Sequence, residues 1–441
     1  MLSESTSTTS RKKYSKVSFS HKTVQEFFAA IFISFHIDAQ KIVLEKCRNI
    51  QDILGMSKMY EFIIEMNSDR MCAISNDLMS VINDVKGVRD YRNGVKEIRD
   101  YGTWRDCDNM YFNTRDYRIK MYNDFIYIQL FYIQKMFVSI LQKMPESEKI
   151  HLYLQDFFIE NQTVHSKQLQ CLLKENKTNI KSLHLNIYDT SSSLREIIDL
   201  FSLTDFSHIQ KLYFTGDSWK ESEINRIMFP SLQCVTLFRG TWTNDEENLS
   251  ENLARLQNLQ YLYIEWFTLS HKLLETFYNF ISGQKSIKEL TLSGLYCKEH
   301  GGHDCKRLMN LDLSPYSTLS KLYFQELPGR LQLNISTPSL VNVMLCDINL
   351  DKSSLILSRD MLNIERVKLK GIKMSALRLQ NFITVLENLP QSVTVAMTDI
   401  KRRTEYDRVR KNVRRSQTFH VIHDVDYMRE IVFKTIKPSK E

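Results

Sequence analysis

From residue 180 onward a six-residue phrase recurs along the chain: apolar, two variable, apolar, one variable, apolar. The copies are IKSLHL (180–185), IQKLYF (209–214), LQCVTL (232–237), LQYLYI (259–264), IKELTL (287–292), LSKLYF (319–324), LVNVML (340–345) and IERVKL (364–369). Their starts lie 29, 23, 27, 28, 32, 21 and 24 residues apart. IHLYL (150–154) and VTVAM (393–397) read as degenerate further units. Within each phrase every second side chain is apolar, which predicts a short strand with one face buried. Between phrases, LREIIDLF (194–201), LSENLARLQ (249–257), LLETFYNFI (273–281) and LRLQNFITVLENL (377–389) space their apolar residues by three and four. That is the period of a helix with one buried stripe. One strand and one helix cannot cover both apolar faces, but stacked copies can. The pattern therefore predicts an α/β fold over 148–400: a curved parallel sheet with helices on its convex side.

Ahead of the phrases the period changes. IVLEKC (42–47), MYEFIIEM (59–66), ISNDLMSVIND (74–84) and the stretch from Tyr117 to Lys143 read as helices, so a helical domain is expected over 36–147. A mixed-charge stretch at 88–118 repeats Arg-Asp-Tyr three times and reads as an exposed insertion. At the N-terminus, Val17 and Phe19 alternate like the end of a strand, and Ser20 is placed to cap a following helix. In that helix Val24, Phe27, Phe28, Ile31 and Phe32 form the apolar face expected to be buried.

The spacing of the phrases resembles leucine-rich repeats. Many such repeats carry Asn or Cys three positions after the last apolar residue of the strand. Here Phe267, Leu295, Leu327, Ile348 and Ile372 occupy that place in five copies, and Tyr188, Asp217 and Gly240 in the others. An apolar column is expected where the family has a polar one. The N-terminal phrase adds a second resemblance. Phe19, His21, Gln25, Glu26, Phe27, Ala29 and Ala30 stand as F-x-H-x-x-x-Q-E-F-x-A-A. This is similar to a motif of NOD-like receptors (NACHT–leucine-rich-repeat proteins) that joins the winged-helix end to the second helical domain. The resemblance implies that residues 1–35 are that junction and that the chain matches the C-terminal portion of such a receptor. His21 is read as structural, tying the strand end to the helix start.

Other features bear on chemistry. No G-x-x-x-x-G-K-[ST] phosphate loop occurs, so no nucleotide switch of the kind this family uses is expected. No G-x-S-x-G or H-E-x-x-H signature appears, and the chain does not read as an enzyme. The eight cysteines are widely spread, which suits free thiols in a reducing compartment. The N-terminus lacks an apolar signal core, and the apolar run Phe125–Leu141 is broken by Gln129, Gln134 and Lys135. A cytoplasmic protein without a membrane span is expected. The net charge of +7 is partly local, because Lys401–Arg415 sets eight basic residues against two acidic ones. That run opens a basic C-terminal extension over 401–441. It reads as a solvated helix face, with a nucleic-acid or anionic-membrane contact as the alternative. Cys297, His300, His303 and Cys305, in CKEHGGHDC, could ligate zinc or simply form a polar loop.

The outward positions of the phrases fall into two columns. One is His184, Tyr213, Thr236, Tyr263, Thr291, Tyr323, Met344 and Lys368; the other is Ser182, Lys211, Cys234, Tyr261, Glu289, Lys321, Asn342 and Arg366. Tyrosine and basic side chains offer large contact area with polar tips. Lys211, Tyr213, Tyr261, Tyr263, Lys321, Tyr323, Arg366 and Lys368 are therefore the candidate protein-binding residues on the concave face. The expected function is protein binding related to intracellular innate immune receptors, including association with full-length relatives. The alternatives are a repeat adaptor, such as a substrate-recognition subunit of a ubiquitin ligase, and a nucleic-acid-binding repeat protein.

Overall fold

A computed structural model describes residues 2–5, 16–19, 21–36, 38–45, 50–67, scattered positions over 70–81, 129–143, 154–160, 166–187, 207–216, 219–220, 229–243, 255–300, 308–328, 330–350, 355–401, 403–425 and 429–436. The chain divides into two compact units, Met1–Phe158 with His165–Ile180, and Ile159–Val164 with Lys181–Glu441. The insertion at 88–118, the helix expected at 194–201 and most of that at 249–257 lie outside the described residues, as do His303 and Cys305.

In the first unit, β1 (Leu2–Ser5) and β2 (Lys16–Phe19) pair antiparallel. Helices follow at Lys22–Phe35, Ala39–Leu44, Ile50–Leu54 and Ser57–Met66, then at 129–143 and Lys167–Asn176. The first of these corrects the expected buried face. Ala30 and Ile33 are buried at 0% and 1%, whereas Val24, Phe28 and Phe32 are 43%, 52% and 54% exposed. Small Ala30 permits close approach on the packed side, and Phe27 meets the Phe62 ring edge-on with centroids 5.3 Å apart. The helix starts at His21, whose carbonyl accepts from the N–H groups of Val24 and Gln25. No side-chain cap forms there, and the imidazole is exposed.

Gln134 explains why the apolar run at 125–141 tolerates an amide. It is 4% exposed, donates Nε2–H to the Phe158 carbonyl at 2.6 Å and accepts the Phe158 N–H at 2.8 Å. Asn176, fully buried, does the same work for Leu154, accepting its N–H at 2.6 Å. Both satisfy backbone groups of an irregular segment and of β3 (Asp156–Glu160).

The second unit is a mixed α/β structure around a large, mostly parallel sheet. Its strands are β4 (Ser182–Ile187), β5 (Lys211–Gly216), the two-residue β6 (Trp219–Lys220), β7 (Cys234–Thr243), β8 (Tyr261–Leu269) and β9 (Glu289–Cys297). There follow β10 (Leu308–Asp312), β11 (Lys321–Gln325), β12 (Arg330–Asn334), β13 (Asn342–Cys346), β14 (Leu355–Ile356), β15 (Arg366–Lys370), β16 (Thr394–Thr398), β17 (Phe419–Val425) and β18 (Glu430–Thr435). The eight repeated phrases are the strands β4, β5, β7, β8, β9, β11, β13 and β15, each parallel to the next. β16 extends the parallel run, and β18 and β17 close it antiparallel.

Burial follows the phrase without exception. Its three apolar positions in eight copies (3 × 8 = 24 residues) are all at most 3% exposed. The backbone ties successive copies together at the second phrase position. The Lys181 carbonyl accepts from Gln210 and Lys211 at 2.9 and 3.0 Å, the Gln233 carbonyl from Gln260 and Tyr261 at 2.8 and 2.9 Å, and the Ser320 carbonyl from Val341 and Asn342 at 2.9 and 3.0 Å. Just before the phrase, a short polar side chain reaches back to the preceding copy. Ser231, Ser286, Thr318 and Ser339 donate to the carbonyls of Ile209, Leu259, Ile287 and Leu319 at 2.6–3.0 Å. Asn258 and Asn363 reach the carbonyls of Pro230 and Pro338.

Helices cover the sheet where the interval holds them. His271–Gly283 buries Leu273, Leu274, Phe277, Tyr278 and Ile281, and Ser270 caps it by accepting the Leu273 N–H at 3.2 Å. Ala376–Asn388 buries Leu379, Phe382, Ile383 and Leu386. The intervals after β9, β11 and β13 instead hold β10, β12 and β14, which form a second parallel sheet; the last two of these intervals are short. A spacing of 21 or 24 residues between phrase starts leaves too little chain for two reversals and a helix of several turns.

A sharp bend falls within or just after seven of the strands. Arg239, Trp266, Gly294, Glu326, Asp347, Gly371 and Asp399 all have φ between 52° and 60° except Glu326 at 49°. They occupy one equivalent position in seven successive units. Glycine is required where the neighbours are close: a Cβ on Gly294 would lie 2.7 Å from the Trp266 ring. Gly294→Ala is expected to lower stability by about 1–3 kcal/mol, combining left-handed strain with displacement of the indole. Urea denaturation measures this, and an unchanged midpoint would refute the packing argument.

The residue after each bend is the position where a polar ladder was absent from the sequence. Phe267, Leu295, Leu327, Ile348 and Ile372 are buried there at 1%, 0%, 5%, 2% and 1%. Residues 403–435, set apart in the sequence by charge, continue the same unit. The helix Arg403–Arg415 buries Tyr406, Val409 and Val413, spaced three and four apart.

Candidate functional site

Register carries the two outward columns across the sheet. Ser182, Lys211, Cys234, Tyr261, Glu289, Lys321, Asn342 and Arg366 stand opposite one another in sequence, and Thr394 and Lys434 continue that row. The central row runs from His184 through Tyr213, Thr236, Tyr263, Thr291, Tyr323 and Met344 to Lys368. A parallel ladder without register shift brings residues more than 180 positions apart onto one face.

The side chains on this face hold one another. The rings of His184 and Tyr213 stack with centroids 4.3 Å apart and planes 3° from parallel. Tyr263 donates its hydroxyl to Glu289 Oε2 at 2.9 Å, and Lys321 Nζ meets Glu289 Oε1 at 2.7 Å. Tyr323 donates to Gln325 Oε1. Burial first, and then Cys346 and the carboxylates Glu265, Glu326 and Asp347, push its phenol far above the ordinary range. The tyrosines are half-buried and held in place, so little side-chain entropy remains to be lost on contact. Lys211, Lys321 and Arg366 are exposed. Lys368 corrects the expectation, being 5% exposed. Its strand neighbours in register are Met344 and Ala396, apolar surface along which a lysine stem can lie.

Thiols on this face are not poised for chemistry. Burial pushes Cys234 up to about 11, against a small opposing pull from Lys211. Cys346 is likewise raised to about 11 by burial, against Lys368 and Lys370.

Of the proposed zinc ligands, Cys297 and His300 are described. Cys297 Sγ lies 3.3 Å from both His300 Nδ1 and Glu299 Oε2. Burial works against a charged Glu299. Its own backbone N–H, the Cys297 thiol and the His271 N–H outweigh that and hold its carboxyl below the usual range. Among the described residues no group of three or more His, Cys, Asp or Glu is placed to hold a metal ion.

The basic run does not form an open phosphate-binding surface along its whole length. Arg410 meets Asp424 Oδ1 at 2.6–2.7 Å, and Arg414 engages its Oδ2. Arg408, Lys411 and Arg415 face solvent. Among the described residues no helix is long and apolar enough to cross a membrane.

Sequence reasoning missed the polar residue ahead of each phrase. Asn179, His208, Ser231, Asn258, Ser286, Thr318, Ser339 and Asn363 all occupy that position, a column visible once the phrases are aligned. Against known proteins, no family model matches the chain and no curated protein matches it.

Proposed function

We propose that this chain is a leucine-rich-repeat protein that acts by binding, and that its ligand is another protein docked on the tyrosine-rich face of the sheet. One observation carries the reading. Eight equivalent strands in unbroken register turn scattered residues into a continuous, pre-ordered surface of tyrosine tips and exposed basic groups. Residues of this kind dominate protein interfaces. The N-terminal motif and the order of helical unit before repeats support kinship with intracellular innate immune receptors and a place in the cytoplasm. The Asp424 contacts count against nucleic-acid binding through the 401–415 run.

A photo-crosslinking amino acid at Tyr213 or Tyr263 tests this in cell extract. Both positions are expected to give the same discrete protein adduct, and an exposed position on the opposite side, Leu377, none. The combined Lys211→Glu, Lys321→Glu and Tyr263→Ala variant should lose the adduct. Equal cross-linking from Leu377, or an adduct that survives the triple change, would overturn the reading.

A further inference from the structure

Charge is divided across the face along the strand direction. The row nearest the strand starts presents Lys211, Lys321, Arg366 and Lys434, all exposed. Lys321, Arg366 and Lys434 fall on every second strand, with uncharged Asn342 and Thr394 between them in register. At about 4.8 Å per strand they recur roughly every 10 Å. The carboxylate in this row, Glu289, is engaged by Lys321 and by the Tyr263 hydroxyl.

Beyond the tyrosines the face turns mainly acidic over β8 to β13. Glu265 on β8 shares a register row with neutral Ser293, Gln325 and Cys346, Glu326 and Asp347 occupy the bends after β11 and β13, and Lys370 on β15 and Arg239 in the β7 bend are cationic exceptions. Glu265, Glu326 and Asp347 all act electrostatically on the Tyr323 phenol, which places them around one point of the face. Asp347 also meets Lys401 at 3.8 Å.

From this division we infer that the face selects an acidic protein segment lying across the stacked strands, with its carboxylates along the Lys321–Arg366–Lys434 row and its apolar side on the tyrosines. A nucleic-acid backbone carries negative charge on every residue and would set phosphates against the carboxylate edge as well as the cationic one. A protein segment can place charge on one side only. Like-charge contact across an interface suppresses wrong partners, and a complementary row speeds the encounter. This inference rests on the tyrosine-rich face being a docking surface.

The test uses the full chain and three fluorescein-labelled probes: a glutamate–leucine dodecapeptide, its lysine–leucine counterpart and a single-stranded oligothymidylate of equal charge. Fluorescence anisotropy is expected to show binding of the glutamate peptide, weakened about tenfold or more by Lys321→Glu with Arg366→Glu and Lys434→Glu. The substituted side chains are exposed, and an unchanged thermal unfolding curve shows that the fold is intact. Glu265→Lys with Asp347→Lys should leave peptide affinity unchanged or raise it, and should strengthen the weak oligothymidylate binding. No binding of the glutamate peptide, no effect of the triple reversal, or wild-type oligothymidylate binding as tight as the peptide would each overturn the inference. Preference for the lysine peptide, lost on Tyr263→Ala, would overturn this polarity while leaving the docking surface in place. Failure of the cross-linking experiment would remove the surface itself.

Discussion

Leu295→Asn is expected to destabilise the sheet unit by about 3–5 kcal/mol, well above the effect of an ordinary surface change. The position follows the left-handed bend at Gly294 and is fully buried. Its register neighbour on β8 is Phe267, itself 1% exposed, and the equivalent residue after β11, Leu327, is 5% exposed. Loss of the leucine side chain forfeits roughly 2 kcal/mol of burial, and an amide placed among hydrocarbon adds about 1–3 kcal/mol. A column of asparagines can stabilise such bends when each amide finds backbone partners in a matching column. A single amide between apolar neighbours has no such ladder to join. Equilibrium urea denaturation followed by tryptophan fluorescence measures the change. A midpoint within error of the parent protein would show that the bends accept an amide and that the apolar column is incidental.

The strands were legible because a two-residue alternation repeated eight times leaves one register that buries every phrase. The helices at 271–283 and 376–388 were legible from apolar spacings of three and four. What sequence could not separate was which apolar residues meet a partner. The N-terminal helix has hydrophobic residues on two sides, and packing chose Ala30 and Ile33 over the larger Phe28 and Phe32. Periodicity carries no information on close approach, whereas a small residue decides it. The strands β10, β12 and β14 are only five, five and two residues long, so each offers little alternation to read. Lys368 sits at an outward position like Lys321, but its register neighbours Met344 and Ala396 are apolar and it is buried, which alternation alone does not show. The hydroxyl and amide column ahead of the phrases was present in the sequence. It escaped notice because polar residues before a strand are ordinary loop composition, and its role depends on a carbonyl one copy away. Of the site, the two outward rows were readable from alternation. The division of charge between strand starts and strand ends was not, because Glu326 and Asp347 lie in bends whose direction only the backbone gives.

Asp424→Ala is expected to loosen the C-terminal end of the sheet by about 2–4 kcal/mol. Asp424 is 10% exposed and accepts from Arg410, 14% exposed, and from Arg414, 53% exposed. The Arg414 contact is half solvated and contributes little. The Arg410 contact is largely buried, and removing its carboxylate leaves a desolvated guanidinium without that counter-charge. These pairs join the helix Arg403–Arg415 to β17, whose pairing with β18 covers the edge of β16. The outermost strand is blunted by a bulge between Val421 and His423 and by the polar side chains of His420, His423 and Asp424. Such features discourage pairing with another chain. If β17 and β18 peel away, the parallel edge of β16 opens without that protection. Hydrogen exchange is therefore expected to quicken across 419–435 in the variant while β7, β8 and β9 keep their protection. Light scattering should rise with protein concentration, and Val413→Asp, which removes the apolar anchor of the same helix, should reproduce both effects. Uniform exchange across the sheet unit would mean that this end unfolds only with the whole, and unchanged exchange would mean that the Asp424 pairs contribute nothing to holding it.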